Sequence, residues 1–325
     1  MINLHNFTPE RPVVVIGAAF CDVMLGLDKL PEGGGDVIAE ELDNQVGGCA
    51  FNVARALQRL SLKPVNAIPV GNGSKGRVVE AAMERENLPV LLRHPTHDNG
   101  WCLAMVEAGR ERTFITIEGC EQHWSEQLLA QVAVPEHAII YVSGYELVSQ
   151  GSEALRNWLL EQGNDKTLFV DFGPRIADID PVFIQKLLDK HPILTLNRDE
   201  LKALNVAGIV GDNPQQTAIE IADTCNVSLI CRFDKDGATV CLPGCEPVVV
   251  PAFKVKVTDT IAAGDSHAAG VIAGLASGLD LAQAVELGNS VAAIVVSRSG
   301  SDGAPTLDEL RAFQQTALQH SSVNL

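Results

Sequence analysis

The sequence contains no long apolar run, few aromatic residues and few basic residues. No uninterrupted apolar stretch of about 18 residues occurs in the 325 residues, so no membrane-spanning helix is predicted. Lys and Arg number 24 against 41 Asp and Glu, which gives a formal net charge of −17. Such a surface disfavours binding to nucleic acid or to an anionic membrane. Small anions are a different matter, because local fields and not net charge bind them.

The cysteine pattern and the N-terminus exclude further classes. None of the eight cysteines forms a C-x-x-C pair of the kind that holds zinc or acts as a redox disulfide. Residues 1–12 show no basic cluster followed by an apolar segment, so we expect no secretion signal. We therefore expect a cytoplasmic protein with reduced, mostly buried thiols. Hydrophobic residues make up 46% of the chain, enough for a large core and too many for a disordered or coiled-coil protein.

Short β-branched runs alternate with longer segments of helical periodicity. The predicted strands are residues 12–16, 64–70, 88–92, 138–142, 167–171 and 193–196. The predicted helices include residues 52–62, 77–88 and 152–163. This alternation predicts an α/β fold with a mainly parallel sheet covered by helices on both faces.

Two segments depart from this pattern because they alternate apolar and polar residues. They span residues 36–46 and about 100–118, and the second contains an Ala108-Gly109 turn typical of a hairpin. Such strands would form either a small second sheet that acts as a lid over a site at the strand ends, or an antiparallel edge of the main sheet. The pattern alone leaves both alternatives open.

Residues 71–76 spell G-x-G-x-x-G between a predicted strand and a predicted helix, formally a dinucleotide fingerprint. The motif is not in the first βα unit, and the next predicted strand ends in Arg93 and His94, where a ribose-binding carboxylate would be needed. A glycine-rich turn is therefore favoured over a dehydrogenase. The sequence also lacks the G-x-x-x-x-G-K-[ST] motif of Walker-type nucleotide hydrolases.

The most informative segment is residues 259–265, Asp-Thr-Ile-Ala-Ala-Gly-Asp, which leads into a long uncharged helical stretch. A buried helix that begins with small residues offers unpaired backbone amides to a phosphate or a developing phosphoryl charge. Asp265 beside these amides is either an ordinary helix cap or a general base that takes a proton from an attacking hydroxyl.

Two further segments suggest ligand contacts. Gly47 and Gly48 precede a predicted helix that carries Asn52, and glycines there permit close approach of a small polar ligand. Asn197 and Glu200 lie one helical turn apart after a predicted strand. That pair either organises a hydrated Mg²⁺ or forms a helix cap with its capping-box acid.

Taken in this order, the segments resemble the ribokinase-like (PfkB) family of carbohydrate and nucleoside kinases over roughly residues 12–315. The family's paired glycines followed by Asn match Gly47, Gly48 and Asn52, and its D-T-x-G-A-G-D signature matches residues 259–265. Its G-x-D-x-x-G turn also accounts for residues 71–76, with Gly73 in place of Asp, which removes the dehydrogenase alternative.

The resemblance implies one kinase domain across residues 1–325, with a central, mainly parallel sheet flanked by helices and a lid made by the two alternating segments. It implies ATP-dependent phosphorylation of a hydroxymethyl group, with Mg²⁺ as cofactor. Asp265 would be the base, and the amides of Ala262, Ala263 and Gly264 the anion hole.

The resemblance also implies binding residues. Substrate hydroxyls would be held by Asp22, Gly47, Gly48, Asn52 and Glu146. Nucleotide contacts would come from Asn197, Arg232, Asp234, Gly237 and Asn289. Glu200 would bind Mg²⁺ through water, and a monovalent cation such as K⁺ would lie beside Asp259, Ile261, Val295 and Gly300. Near the phosphate path, in the position of the family's D-P-N-x-R, stand Asp171 and Arg175.

Several residues depart from the family pattern. Ala262 replaces the usual Gly, and we expect the anion hole to remain intact. Phe20 and Cys49 replace the Asn and Lys of ribokinase, so the pocket is less polar than a ribose site and ribose is disfavoured. Residues 232–234, Arg-Phe-Asp, replace the usual Thr-Leu-Gly and leave the phosphate donor open. His267, unusual two residues after the base, is interpreted as a packed helix residue.

The leading expectation is a sugar kinase that phosphorylates a primary hydroxyl. A nucleoside kinase is the alternative enzyme, if Trp101 and Tyr145 stack on a base. A sugar or nucleotide sensor without catalysis is disfavoured, because a sensor has no need of Asp265. The family also suggests a homodimer that pairs through the lid strands.

Overall fold

Strands and helices alternate along the residues that the computed structural model describes, which are 4, 7–109, 111–204, 206, 209 and 213–322. The strands are β1 Val13–Ile16, β2 Phe20–Leu27, β3 Glu40–Gly47, β4 Val65–Ala67, β5 Pro69–Val70, β6 Leu92–Arg93, β7 Trp101–Glu107, β8 Arg112–Ile117, β9 Ile139–Ser143, β10 Thr167–Asp171, β11 Ile193–Asn197, β12 Ser228–Arg232, β13 Ala238–Cys241 and β14 Val248–Val250. The helices are α1 Cys49–Arg59, α2 Ser74–Arg85, α3 Glu126–Leu129, α4 Glu153–Glu161, α5 Pro181–Leu188, α6 Arg198–Ala203, α7 Pro214–Cys225, α8 Ala263–Ala276, α9 Leu281–Val296 and α10 Leu307–Ser322.

Eight strands form the main sheet in the order β14-β13-β12-β11-β10-β9-β1-β4. Six neighbouring strands of this sheet are parallel, namely β4, β1, β9, β10, β11 and β12. Strands β13 and β14 are antiparallel and form one edge. Strand β1 shows that both faces are covered, because Val13 and Val15 belong to one apolar cluster and Val14 and Ile16 to another. Helices α1, α2, α8, α9 and α10 supply the first cluster, and α3 to α7 the second. The predicted α/β architecture is confirmed.

A separate four-stranded sheet has the order β3-β2-β7-β8 and decides between the two alternatives for the alternating segments. They form a small second sheet and not an edge of the main one. The hairpin turn at Ala108 and Gly109 is confirmed, while residues 36–39 precede the strand, which begins at Glu40. The central strand β2 was not predicted, because its apolar run is broken by Asp22 and Gly26 and does not alternate.

Three other predictions differ from the structure. The segment 64–70 divides into β4, which pairs in the main sheet, and β5, which pairs with β6 in a two-stranded sheet. Pro69 has no N–H with which to continue a ladder, which accounts for the division. The strand predicted at 88–92 is reduced to Leu92–Arg93, and the helix predicted at 77–88 begins at Ser74 and ends at Arg85.

The carboxyl ends of the parallel strands meet at one edge of the main sheet, where the candidate site lies. Strands β9 to β12 end there in Ser143, Asp171, Asn197 and Arg232. All eight cysteines are free, and Cys21, Cys120, Cys231 and Cys241 are buried, as expected for structural thiols. Among the described residues, no helix has the length and apolar character needed to cross a bilayer.

Candidate active site

A cavity of 790 Å³ opens at this edge, between the strand ends and the first turn of α8. Its wall contains the last residues of β9 to β12 together with Asp265 and the three small residues that precede it. A volume of this size is typical of small-molecule sites, which range over roughly 300–1,000 Å³.

Helix α8 begins with small residues in the conformation of an anion site. Ala262, the N-cap, adopts a left-handed conformation with φ 58°. The amides of Ala262 and Gly264 donate no hydrogen bond to a described residue, whereas the Ala263 amide donates to the Thr260 carbonyl at 3.3 Å. Two of the three predicted amides therefore face the cavity without an internal acceptor.

Asp265 lies in the first turn of α8 and is partly buried. Its Oδ2 accepts a hydrogen bond of 2.8 Å from the Nδ2 of Asn52, which α1 carries into the site. Burial raises the pKa of the Asp265 carboxyl to about 6, and Asp171 adds to this, while Asn52, Cys49 and Arg232 oppose it. A carboxylate poised near neutrality is suited to general-base catalysis. The Asp265 side chain does not cap α8, so Asp265 is not the ordinary helix cap that the sequence left open as an alternative.

The paired glycines Gly47 and Gly48 lie where the four-stranded sheet β3-β2-β7-β8, called the lid sheet below, meets α1. Gly48 has φ 97°, and a Cβ placed there would lie 2.7 Å from the Ala18 carbonyl, so only glycine fits. A Cβ on Gly47 would lie 2.6 Å from Asp22 Oδ2, which shows that the Asp22 carboxyl rests against this backbone. Burial raises the pKa of Asp22 to about 6. The structure thus brings together Asp22 and both glycines at one end of the helix that carries Asn52.

Glu146 is a buried carboxyl in the short 3-10 segment after β9, with only 1% of its surface exposed. Its Oε2 has no hydrogen-bond partner among the described residues. Burial raises its pKa to about 8, so the carboxyl is mainly protonated at neutral pH. A neutral carboxyl can donate a hydrogen bond, and an orphaned oxygen of this kind is a candidate ligand contact.

Arg232 extends from the end of β12 into the centre of the site. Its Nη2 forms ion pairs with Asp171 Oδ1 at 3.4 Å and with Glu200 Oε2 at 3.3 Å. A Cβ placed on Gly264 would lie 2.5 Å from Nη1, so the guanidinium packs directly against the first turn of α8. Its Nε is buried without a partner among the described residues. Burial lowers the Arg232 pKa, but the two carboxylates outweigh this and raise it overall, so the cation is permanent.

Asn197 and Glu200 form a complete capping box at the start of α6. Asn197 Oδ1 accepts from the amides of Asp199 and Glu200, and Glu200 Oε2 accepts from the Asn197 amide at 2.8 Å. The helix-cap alternative for Asn197 and Glu200 is therefore the arrangement that the structure shows. Both residues also line the cavity, with Glu200 only 5% exposed. Since both Glu200 oxygens already accept internal hydrogen bonds, they suit contact with a cation through water better than direct ligation.

Asp234, Gly237 and Asn289 line the cavity, as the predicted nucleotide contacts should. The Asn289 amide, however, is engaged within the protein. Nδ2 donates to the carbonyls of Val250 and Pro251, and Oδ1 lies 3.1 Å from His267 Nε2. Burial lowers the His267 pKa to about 3, so the ring is neutral, in agreement with a packed helix residue.

Three of the four predicted cation-site residues, Asp259, Ile261 and Gly300, lie on two loops that Asp259 joins. Its Oδ1 accepts from the Ile261 amide at 3.1 Å, and its Oδ2 from the Gly300 amide at 3.0 Å. Val295 lies in the last turn of α9, and its carbonyl accepts from the Arg298 amide. Carboxylate and carbonyl oxygens suit a hard cation, and Asp259 and Ile261 lie directly before the predicted anion hole in the chain.

Other predicted residues lie outside the cavity or have different partners. Arg175 is exposed and paired with Asp178. Trp101 packs under Lys75, whose Nζ lies 4.9 Å from the ring centroid, whereas Tyr145 lines the cavity and is 40% exposed. The glycine-rich turn 71–76 is not a phosphate site, because Asp98 accepts hydrogen bonds from the amides of residues 73, 75 and 76.

Some residues of the site were missed by the sequence analysis. Lys254 lines the cavity, and so does an apolar group that includes Phe253, Val255 and Val257, whereas Lys235, which also lines it, lies within the predicted nucleotide segment 232–237. A charged residue within the apolar segment 50–57, Arg55, is a signal that could have been followed, since it lies one helical turn after Asn52. Lys254 stands in a loop without any pattern that marks it.

The doubly covered parallel sheet, the small second sheet and the carboxylate at an open helix N-terminus define a phosphotransferase of the ribokinase-like class. The sequence model of the pfkB family of carbohydrate kinases matches residues 11–307. The chain belongs to this family, and it is a sugar or nucleoside kinase in the broad sense.

Similar proteins support this placement. The chain is 42% identical over 315 residues to the uncharacterised sugar kinase YegV of Escherichia coli (strain K12), covering 95% of this chain and 97% of that protein. The ribokinase structure of Thermotoga maritima aligns with a TM-score of 0.79 at 20% identity, covering 94% of this chain and 99% of that one. The ribokinase of Arabidopsis thaliana, solved with ribose and ATP, aligns with a TM-score of 0.76 at 19% identity, covering 93% and 98%. At 20% and 19% identity, the likeness to these two structures shows a shared fold alone.

Proposed function

We propose that the protein transfers the γ-phosphoryl group of ATP to a primary hydroxyl of a small sugar, with Asp265 as general base. The observation that carries the proposal is the juxtaposition in the first turn of α8. A partly buried carboxylate there adjoins the amides of Ala262 and Gly264, which have no internal acceptor, and is oriented by Asn52. An anion hole and a base within one helical turn are what phosphoryl transfer to a hydroxyl requires.

In this proposal the acceptor hydroxyl loses its proton to the Asp265 carboxylate as its oxygen bonds to the γ-phosphorus. The bond between that phosphorus and the ADP oxygen breaks in the same displacement. The amides at the start of α8 and the Arg232 guanidinium stabilise the negative charge on the transferring group. Arg232 is suited to this because its Nη1 already lies against Gly264.

The nucleotide would bind in the 790 Å³ cavity, whose composition fits it. Phe253, Val255 and Val257 provide an apolar wall for a base, while Arg232, Lys235 and Lys254 provide cations for phosphates. Asp234, Gly237 and Asn197 lie along the same wall. Asn289 would support this wall through its hydrogen bonds to the carbonyls of residues 250 and 251 and would not contact the base.

Mg²⁺ would be held through water by Glu200, and it would neutralise charge on the β- and γ-phosphates. A monovalent cation would lie at Asp259, Ile261, Val295 and Gly300, where it would add positive charge behind the anion hole. Because Asp259 ties the two loops together, such an ion would also stabilise the conformation that begins α8.

The sugar would bind under the lid, with hydroxyls held by Asp22, by Glu146 and by the backbone of Gly47 and Gly48. The Phe20 ring lies against Gly100, the residue before β7, since a Cβ on Gly100 would be 2.6 Å from the Phe20 Cζ. Phe20 and Cys49 make this pocket less polar than a ribose site, so we propose an acceptor other than ribose. The exposed Tyr145 ring in the cavity keeps a nucleoside as the second candidate acceptor.

The test is ADP release from ATP and Mg²⁺ across pentoses, hexoses, keto-sugars, sugar acids and nucleosides, with K⁺ replaced by choline in a parallel series. Asp265→Asn serves as the inactive variant. Asp165→Asn, which removes a carboxylate at the opposite end of β10, serves as the matched control. We expect turnover on one sugar class that Asp265→Asn lowers by about 10²–10⁴ and Asp165→Asn leaves unchanged. Turnover that survives in Asp265→Asn would defeat the assignment of the base.

We also propose a homodimer that pairs through the lid. Strand β8 is the edge of the lid sheet, and Phe114, Ile115 and Ile117 are 59%, 48% and 44% exposed on it. Light scattering after gel filtration should give twice the chain mass, and Phe114→Lys should lower it. A monomer for the unmodified protein would refute this.

A further inference from the structure

Arg55 is a buried charge in the middle of α1, in a stretch of small and apolar residues. The residue is 5% exposed, and its neighbours Ala54, Ala56 and Leu57 are completely buried. Charged residues are almost never buried to this degree unless they are paired. The packing of α1 against the sheet does not require an arginine there, so its contacts indicate its role.

The Arg55 guanidinium joins the active site to the loop after α9. Its Nη2 donates to Asn52 Oδ1 at 2.7 Å and to the Ser301 carbonyl at 2.6 Å. Its Nη1 lies 3.6 Å from Asp302, which is mostly exposed. Asn52 in turn donates from Nδ2 to Asp265 Oδ2 at 2.8 Å. Two short hydrogen bonds therefore connect Arg55 to the proposed base.

The donor and acceptor capacities along this path allow one orientation of the Asn52 amide. A guanidinium can only donate and an ionised carboxylate can only accept. The amide oxygen must therefore face Arg55 and the amide nitrogen must face Asp265. Without Arg55 the Asn52 amide could turn over and present its oxygen to the Asp265 carboxylate. The hydrogen bond from Asn52 to Asp265 would then be lost, and the two oxygens would repel each other.

We propose that Arg55 is a positioning residue that fixes the Asn52 amide so that its N–H orients the Asp265 carboxylate. The inference rests on the proposed function, because it assigns Arg55 to the reaction that Asp265 serves. Arg55 touches neither substrate nor the reacting atoms. It acts through Asn52, three residues away on the same face of α1.

The charge state of Asp265 provides a second consequence of this arrangement. Asp171, at the end of β10, and Glu146, after β9, face Asp265 as acids. Arg232, from β12, and Arg55 face it as cations. The titratable groups that surround it in neutral form are Cys49, Tyr141 and Tyr145. The Asn52 hydrogen bond stabilises the ionised carboxylate against the acids, so losing it should raise the Asp265 pKa.

The first test is a double-mutant cycle on kcat with Arg55→Met and Asn52→Ala. We expect Arg55→Met to lower kcat by about tenfold or more, the effect of losing a hydrogen bond to a charged group, while KM for ATP changes less than about twofold. In the Asn52→Ala background, Arg55→Met should change kcat by less than about twofold, because its route of action is gone. Additive effects of the two changes would overturn the proposal.

The matched control is Arg59→Met, one turn further along α1. Arg59 also holds the loop after α9, through the carbonyls of Asp302 and Ala304, but it makes no contact with Asn52. We expect it to keep kcat. If it lowers kcat as much as Arg55→Met does, the loop and not the amide is responsible, and the proposal fails. Arg55→Lys retains a donor and should recover most of the activity.

The second test does not depend on activity. The Asp265 carboxyl is titrated by ¹³C NMR, with its signal assigned by its absence in Asp265→Asn. The expected result is a higher pKa in Arg55→Met than in the unmodified protein and no change in Arg59→Met. An unchanged pKa in Arg55→Met would overturn the inference even if kcat falls.

Failure of the proposed function is recognised separately. If the unmodified protein turns over no acceptor, the kinase assignment to Asp265 fails, and the titration still decides the role of Arg55. If Arg55→Met does not fold, the cycle and the titration are run with Arg55→Ala, whose side chain has no donor for the Asn52 oxygen.

Discussion

Replacement of Asp265 by asparagine should stabilise the folded protein at neutral pH while it lowers kcat. The reason is the pKa of this carboxyl, which burial raises from 3.8 to about 6 in the folded state. A raised pKa means that the folded state binds the proton more tightly than the unfolded chain does. The stabilising contribution of the protonated form is complete below pH 3.8 and is lost as the pH rises through 6.

The size of the effect follows from the size of the shift. A change of about two pKa units corresponds to about 3 kcal/mol of free energy, since each unit is worth about 1.4 kcal/mol. The Asn52 hydrogen bond and Arg232 recover part of the cost of burying the charge, and that recovery is already contained in the shift. An asparagine keeps an oxygen that can accept from Asn52 and carries no charge. We therefore expect Asp265→Asn to be more stable by about 1–3 kcal/mol at pH 8 and by almost nothing near pH 4.

Urea unfolding at a series of pH values between 4.5 and 8.5 measures this difference. Asp165→Asn, in which an exposed carboxylate is removed, should show no comparable gain with rising pH. A gain for Asp265→Asn that is independent of pH, or a loss of stability at pH 8, would refute the assignment of a destabilised base. The same preparation should have kcat lowered by about 10²–10⁴, so that stability and activity change in opposite directions.

Two other substitutions test separate parts of the site. Arg232→Met should leave Asp171 and Glu200 without their common cation, lower kcat/KM for ATP by at least about tenfold and lower the stability by about 3 kcal/mol, measured by steady-state kinetics and urea unfolding. Unchanged kinetics would remove Arg232 from the phosphate path. Ala262→Gly should keep kcat and raise stability by up to about 1 kcal/mol, because the left-handed φ of 58° costs alanine about that much. A loss of stability would mean that the greater freedom of glycine in the unfolded chain outweighs the strain that is relieved.

The parts of the fold with strong local patterns could be predicted from the sequence. β10 was predicted to the residue, and the strands that became β1, β9 and β11 to within about a residue, because buried parallel strands are short continuous apolar runs bounded by polar residues. The start of α8 was likewise visible, because Ala-Ala-Gly-Asp directly before a long uncharged segment is typical of a buried helix that begins with small residues. The lid segments were visible through their alternation. Strand β2 was not, because Asp22 and Gly26 interrupt its apolar residues and leave neither a continuous apolar run nor an alternation.

The contacts that make the site were beyond the sequence for a physical reason. Arg232 meets Asp171, 61 residues earlier, and Glu200, 32 residues earlier, and the direction of its side chain depends on how β12 twists against its neighbours. Arg55 was overlooked for the opposite reason, because in a helical pattern an arginine counts as a solvated residue. Only the fold shows that its face of α1 is covered by the loop that contains Ser301.

The acidic net charge and the phosphate chemistry are reconciled by how the carboxyl groups of the site are neutralised. Asp171 and Glu200 share Arg232, Glu146 has a pKa of about 8 and is mainly protonated, and Asp265 has a pKa of about 6. Each of these acids is therefore paired, neutral or only weakly acidic. In the proposed reaction a negative triphosphate would meet the α8 amides and the nearby cations and not a field set by the −17 of the whole chain. Because Asp265 is the member of this group with neither a cation of its own nor a proton at pH 8, we propose it as the carboxylate that accepts the proton of the hydroxyl.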